Sequence, residues 1–169
     1  YDFYQIQLAA GESVIFRCIS EQIDSAGDPV MALFDSGQRM ISRNHDTGGR
    51  DSLISYRAER AEEVFIRVND LTFTSQGGSG TTAYRLEVSS RPWIDFVMPP
   101  VIPRNGPSTV RLYGRNLGGR PSGIRKNGWE LEEKEVTIQP ANDASGGFSN
   151  AVLTPNLYSS GRILYSFSN

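Results

Sequence analysis

Residues 64–70 read VFIRVND, and the apolar residues Val64, Ile66 and Val68 occupy every second position. A β-strand has the same period of two, because successive side chains point to opposite faces of a sheet. Similar short segments, separated by Gly, Asn, Asp, Ser and Pro, fill the first part of the chain: 2–8, 14–19, 30–35, 38–42, 53–57, 64–70 and 84–88. Such a series predicts an all-β fold that begins with a jelly-roll-like antiparallel β-sandwich.

A turn and a linker organise these segments. Asp35-Ser36-Gly37 predicts a tight turn that joins the segments before and after it as a hairpin. Ser89-Ser90-Arg91-Pro92 predicts a domain boundary, because proline lacks the N–H that a strand ladder needs. We therefore expect one domain at 1–90 and a smaller, Ig-like β-sandwich domain at 91–169.

The second domain has weaker strand patterns. They predict strands at residues 109–113, 129–131, 136–139 and 163–167. The acidic stretch from Glu130 to Glu135, ELEEKE, predicts a solvated sheet edge, where charge discourages pairing with another strand.

Composition and charge exclude several function classes. The 169 residues are 38% hydrophobic and carry a net charge of −2, which is typical of a folded chain and not of a disordered one. The apolar runs, such as Val30 to Phe34, are far shorter than the roughly 20 residues of a membrane-spanning helix, so we expect no membrane span.

Residues 1–90 hold 8 Arg against 13 acidic residues, and 91–169 hold 9 basic against 6 acidic ones. Neither part forms a basic stripe, so we expect no nucleic-acid partner.

Six segments of residues 1–90 stand in a recognisable order and spacing: DFYQIQL (2–8), Ala10-Gly11-Glu12, LFDSG (33–37), DSLISY (51–56), VFIRVND (64–70) and YRLEV (84–88). In this arrangement the chain resembles the bacterial pre-peptidase C-terminal domain. The resemblance implies a jelly-roll-like sandwich in a secreted bacterial protein, often beside a peptidase domain and not itself catalytic.

Residues 92–118 combine prolines, apolar pairs and a strand that ends in Gly114-Arg115-Asn116-Leu117. This stretch resembles the start of an immunoglobulin-like IPT/TIG domain. Gly114 permits a positive φ or a close approach, Asn116 can bond its own backbone, and Leu117 is expected in the core. The two modules in tandem resemble parts of large secreted proteins of planctomycete-type bacteria. The chain begins at Tyr1 without an initiator Met, so we expect a piece of such a precursor, secreted, periplasmic or at the cell surface.

Candidate catalytic groups are few. His45 is the single histidine, and its neighbour Asp46 is not expected to orient the ring from behind as the acid of a catalytic triad does. Cys18 is the single cysteine and lies in a predicted core strand, where thiols are usually inert. Asp46-Thr47-Gly48 is similar to the aspartic-peptidase triplet, but it lacks the preceding apolar strand and a second copy, so we interpret it as a turn.

A calcium site is a further hypothesis, because loops of sandwich domains often supply the six to eight oxygen ligands that Ca²⁺ takes. The candidate carboxylates are Asp24, Asp28, Asp46, Asp51 and Asp70, with Asn44 as a possible amide donor. At Asn44-His45-Asp46 the resembled family often has consecutive acids, and an imidazole there would weaken the site. Solvated carboxylates at turns are the alternative, and no other cofactor is expected.

Aromatic residues of the second domain suggest a possible ligand surface, with packing as the alternative: Trp93, Tyr113, Trp129, Tyr158 and Tyr165. Taken together, the sequence predicts a non-catalytic binding or spacer module that is accessory to other domains of its parent protein. A calcium-assisted adhesive module that binds a glycan or a matrix protein is the first alternative. A hydrolase fragment is the second.

Overall fold

The computed structural model describes residues 1–47, 49–71, 82–103 and 106–139, and the backbone alone of 150–153 and 163–168. The described chain is almost entirely β-structure in mainly antiparallel sheets, which confirms the all-β prediction. Over these residues, no helix has the length and apolar character that crossing a membrane requires. The chain divides into two compact units, Tyr1–Ser90 and Arg91–Asn169.

The first unit is a sandwich of two antiparallel sheets. Its strands are β1 Asp2–Leu8, β2 Ser13–Ile19, β3 Pro29–Asp35, β4 Met40–Asn44, β5 Ser52–Arg57, β6 Glu62–Asp70 and β7 Arg85–Ser89. A four-stranded sheet has the order β1-β6-β3-β4, and a three-stranded sheet has the order β5-β2-β7. A short 3₁₀ turn, Glu21–Ile23, connects β2 to β3.

The alternating side chains of β6 face the core, as their period predicts. Val64, Ile66 and Val68 are at most 1% exposed, and they share a core with Leu33 of the neighbouring strand and Phe16 of the other sheet. Burial of these aliphatic groups provides the main stabilising free energy of the unit, at roughly 25 cal/mol per Å² of apolar surface.

The predicted hairpin joins β3 and β4. The side chain of Asp35 accepts hydrogen bonds from the backbone N–H and from Nε of Arg39, at 2.9 and 3.0 Å. These bonds, the backbone one first, hold the pKa of Asp35 below its usual value. Gln38, and not Gly37, adopts the left-handed conformation, with φ of 61°.

The second unit contains two further sheets. Its strands are β8 Trp93–Met98, β9 Val101–Pro103, β10 Ser108–Arg115, β11 Arg120–Lys126, β12 Trp129–Ile138, β13 Asn150–Leu153 and β14 Ile163–Ser168. The sheet orders are β11-β12-β10-β8 and β13-β14-β9, with β9 and β14 parallel. Leu117 is 2% exposed within the core of this unit, as predicted.

The acidic stretch ELEEKE does not form an edge, so this prediction is wrong. It lies within β12, which pairs with β10 on one side and β11 on the other. The neighbouring strands supply the opposite charge, since Arg120 Nε lies 2.6 Å from Glu133 Oε1 and Arg111 Nε lies 3.1 Å from Glu135 Oε1. Cross-strand pairs of this kind allow a charged segment to occupy a central strand.

Glycine is required at position 114 because the backbone of β8 approaches it closely, and its φ is not positive. A Cβ atom at this position would clash with the carbonyl oxygen of Trp93, where β10 pairs with β8 through an irregular register. Asn116 supplies the left-handed residue that follows, with φ of 54°. The residue types at the end of β10 are therefore dictated by backbone geometry.

Candidate functional site

The outer face of the four-stranded sheet in the first unit carries aromatic side chains. Phe65 and Arg67 occupy the outward positions of β6, between the buried residues of the same strand. In the register, Phe3 of β1 is opposite Arg67, and Phe34 of β3 is opposite Phe65. Residues opposite one another in a sheet share a face, so the four side chains lie together.

These residues line a groove of about 420 Å³, together with Asp35, Ser36 and Gln38. We call it the aromatic groove and define it by Phe3, Phe34, Phe65 and Arg67. The side chain of Phe3 is 63% exposed, and those of Phe34 and Phe65 are half-buried. The groove therefore has an apolar floor and a polar margin, the usual composition of a ligand site.

Arg67 is held among aromatic rings. Its guanidinium carbon lies 5.1 Å from the ring centroid of Tyr1 and 5.3 Å from that of Phe34, within the range of cation–π attraction. Its Nε is buried and has no hydrogen-bond acceptor among the described residues. Within that same part of the chain, no carboxylate lies within 4.0 Å of the Arg67 guanidinium.

Two carboxylates on the strands that carry the groove residues are already engaged. Asp35 pairs with Arg39. Glu63, two residues before Phe65 in β6, accepts hydrogen bonds from the side-chain amides of Gln5 and Gln7. The positive charge of Arg67 thus faces the groove without a neutralising partner in the described chain.

The sequence prediction placed a possible aromatic surface in the second unit instead. There Trp93 and Trp129 are partly buried, and Tyr113 is 9% exposed and stacks on Phe96 with ring centroids 4.7 Å apart. Tyr158 and the side chain of Tyr165 lie outside the described residues. The missed signal was the presence of phenylalanine at outward strand positions, where a polar residue is usual.

A second, polar cavity of about 520 Å³ lies at one end of the first unit. Asp2, Asp28 and Asp70 line it, and so does Tyr84. The Tyr84 hydroxyl donates to Asp2 Oδ2 at 2.5 Å and lies 2.6 Å from the hydroxyl of Tyr4. Burial, followed by these contacts, raises the pKa of Tyr84 well above its usual value. The network therefore keeps a proton at the cavity wall.

Two of the calcium candidates meet at this cavity. The backbone N–H of Asp28 donates to Asp70 Oδ2 at 3.1 Å. Burial raises the pKa of Asp28, and the negative charges of Asp46 and Asp70 raise it further. Crowded carboxylates of this kind disfavour the charged form.

The other candidates have different roles. Asp51 Oδ1 accepts from the backbone N–H groups of Ser20 and Glu21, at 2.8 and 2.9 Å, at the start of the 3₁₀ turn. Asp24 is exposed and ends that turn in a left-handed conformation. Among the residues that the structure describes, no three His, Cys, Asp or Glu side chains form a group that could hold a metal ion. The structure therefore offers no calcium site built from these five residues, and calcium binding stays a prediction.

His45 and Asp46 correct one expectation from the sequence. Despite their adjacency, Asp46 Oδ2 lies 2.7 Å from His45 Nδ1, so the acid does reach the ring. Both side chains are about half exposed, and within the described chain His45 contacts no hydroxyl or thiol that it could activate. Thr47 Oγ1 donates to Asn44 Oδ1 at 2.8 Å, while Gly48 lies outside the described residues.

Cys18 lies in the core of the first unit, where its side chain is 0% exposed. Burial, with a smaller contribution from Asp51, raises the pKa of its thiol to about 12. The reactive thiolate is therefore rare at neutral pH.

We expect Cys18 to resist a disulfide reagent such as 5,5′-dithiobis(2-nitrobenzoate) near pH 8 while the protein is folded, because the thiol is both inaccessible and protonated. The same chain in guanidinium chloride should release one equivalent of chromophore per molecule. Rapid stoichiometric labelling of the native protein would contradict this description of the core.

Comparison with known proteins gave no match to a family model, to a curated protein or to a solved structure.

Proposed function

We propose that the first unit is a non-catalytic binding module of a larger secreted bacterial protein, and that it binds a saccharide chain in the aromatic groove. The observation that carries this proposal is the set of three phenylalanine rings on the outer sheet face, with Phe3 63% exposed. Neighbouring domains of the parent protein are its other proposed partners.

The shape and chemistry of the groove favour a saccharide. A pyranose ring has an apolar C–H face and a rim of hydroxyl groups, so it can lie on an aromatic ring while its edges form hydrogen bonds. The phenylalanines supply the platform, and Ser36 and Gln38 supply polar groups at the margin. A grouped set of aromatic side chains that stay partly exposed on a sheet face is typical of an interaction site, because apolar surface left in water costs free energy.

The described residues support a binding role over a catalytic one. The Cys18 thiol is buried and protonated, and among the described residues no hydroxyl or thiol contacts the His45–Asp46 pair. The resemblance of residues 1–90 to the pre-peptidase C-terminal domain points in the same direction, since that family is not itself catalytic. We assign residues 91–169 the role of spacer or auxiliary module.

The experiment is affinity electrophoresis of the chain through gels that contain single soluble polysaccharides, neutral and acidic. We expect retardation by at least one polysaccharide, and a loss of affinity of about tenfold in Phe3→Ala or Phe65→Ala, as for a central aromatic contact. Phe96→Ala is the matched control, because Phe96 is a partly exposed phenylalanine of the other unit and should leave binding unchanged.

Phe3 is the more informative position, since its exposed ring contributes little to folding. Retention of full affinity in both groove variants, or absence of retardation in every gel, would contradict the proposed function.

A further inference from the structure

We infer that the saccharide bound in the aromatic groove carries a carboxylate, as a uronic acid does, and that Arg67 selects it. This inference rests on the proposed function and assigns the substrate class of the same site.

The first argument is the unpaired charge of Arg67. Its guanidinium lies within 4.0 Å of no carboxylate in the described ranges, although the residue is partly buried. Partial burial of a cation without an opposite charge beside it costs free energy. A ligand that brings an anionic acceptor relieves this cost, whereas a neutral ligand relieves only part of it.

The second argument is preorganisation. The guanidinium of Arg67 lies over the rings of both Tyr1 and Phe34. Its side chain is therefore already ordered, and ligand binding costs little of its conformational entropy. A guanidinium presents pairs of parallel N–H groups that match the two oxygens of a carboxylate. A saccharide ring on the neighbouring phenylalanines would place a ring carboxylate beside this group.

The third argument concerns the long-range field. Residues 1–90 have 8 Arg and 13 acidic residues, so the unit as a whole does not attract polyanions. Preference for an acidic saccharide must therefore come from a local contact. Asp35 does not neutralise that contact, because its carboxylate is bonded to Arg39.

The test is isothermal titration calorimetry with three trisaccharides of matched length: trigalacturonate, its methyl ester and neutral trigalactose. We expect trigalacturonate to bind about tenfold to a hundredfold more tightly than the other two, the range for a charge-assisted hydrogen bond. Arg67→Gln should abolish this preference, so that the three trisaccharides bind with similar affinity. Arg67→Lys should restore only part of the preference, because an ammonium lacks the planar pair of donors.

Arg60→Gln is the matched control, since Arg60 is exposed in a loop of the same unit and the substitution removes the same charge. Protection of Cys18 from labelling verifies that each variant remains folded. Equal affinity for trigalacturonate and its ester, or an unchanged preference in Arg67→Gln, would overturn the inference and leave the proposed function intact. Binding of a polyglutamate peptide in place of every saccharide would overturn the saccharide class. Binding of none of these probes would overturn the inference, while the electrophoresis experiment separately decides the proposed function.

Discussion

Replacement of Asp95 by alanine is expected to destabilise the second unit by about 3 to 5 kcal/mol, the usual cost of removing one partner from a buried ion pair. The side chains of Asp95 and Arg115 are both 1% exposed, and Asp95 Oδ2 lies 3.6 Å from Arg115 Nη1. Lys126 Nζ donates to the other oxygen of Asp95 at 2.9 Å. Loss of the carboxylate therefore leaves a buried guanidinium with no opposing charge among the described residues.

Two opposing effects act on the pKa of Arg115. Burial lowers this pKa, and the negative charge of Asp95 acts in the opposite direction. None of the three guanidinium nitrogens of Arg115 has a hydrogen-bond partner in the described part of the chain. Arg115 thus depends on the Asp95 charge more than an exposed arginine would on a surface partner.

Tryptophan fluorescence measures this effect in one unit, because both tryptophans of the chain, Trp93 and Trp129, lie in the second. The midpoint of denaturant unfolding should fall sharply in Asp95→Ala. Glu135→Ala is the control, since it breaks a half-exposed pair with Arg111 and should cost at most about 1 kcal/mol.

A double variant distinguishes lost charge from lost packing. If the penalty comes from the orphaned cation, Asp95→Ala combined with Arg115→Leu should be less destabilised than the sum of the single changes. An unfolding midpoint that Asp95→Ala leaves unchanged, or strict additivity in the double variant, would contradict the role assigned to this pair.

Replacement of Ile66 by alanine should cost the first unit about 2 to 5 kcal/mol, and replacement by valine only about 0.5 to 1.5 kcal/mol. Ile66 is 0% exposed at the centre of β6, with β1 on one side and β3 on the other. The truncation removes buried methyl groups and leaves a cavity that the two packed sheets cannot readily close.

Labelling of Cys18 in graded denaturant follows this unit alone, because Cys18 is the single cysteine of the chain and lies in the same core. Phe65→Ala, one residue away on the outer face, is the control and should lower stability much less than Ile66→Ala. Equal destabilisation by the two substitutions would contradict the assignment of Ile66 to the inward face and Phe65 to the outward face of β6.

The strands of the first unit were largely predictable from sequence, because the pattern that reveals them is local. The residues of β6 alternate between buried and partly exposed. Consecutive buried residues in β2, β3 and β5 show burial on both faces, and the Asp35 turn marks where β3 ends. The buried set Val64, Ile66 and Val68 follows directly from that period. Local sequence was less informative in the second unit, where the charges of ELEEKE suggested an edge.

The candidate site was not predictable in the same way. Four aspartates in loops and Asp70 at a strand end suggested calcium. The structure brings Asp28 and Asp70 into contact, while Asp51 bonds backbone N–H groups. The proposed groove instead combines β1, β3 and β6, whose register no single segment specifies.

The sequence by itself determined that the chain is all-β and which side of β6 is buried, since alternation is read from neighbouring residues. Only the tertiary structure decided which strands lie side by side. That choice depends on contacts between residues far apart in the chain, and it makes β12 a central strand and brings Phe3, Phe34 and Phe65 together. For residues 64–70, the period of VFIRVND buries Val64, Ile66 and Val68, whereas β1 and β3 give Phe65 and Arg67 their neighbours.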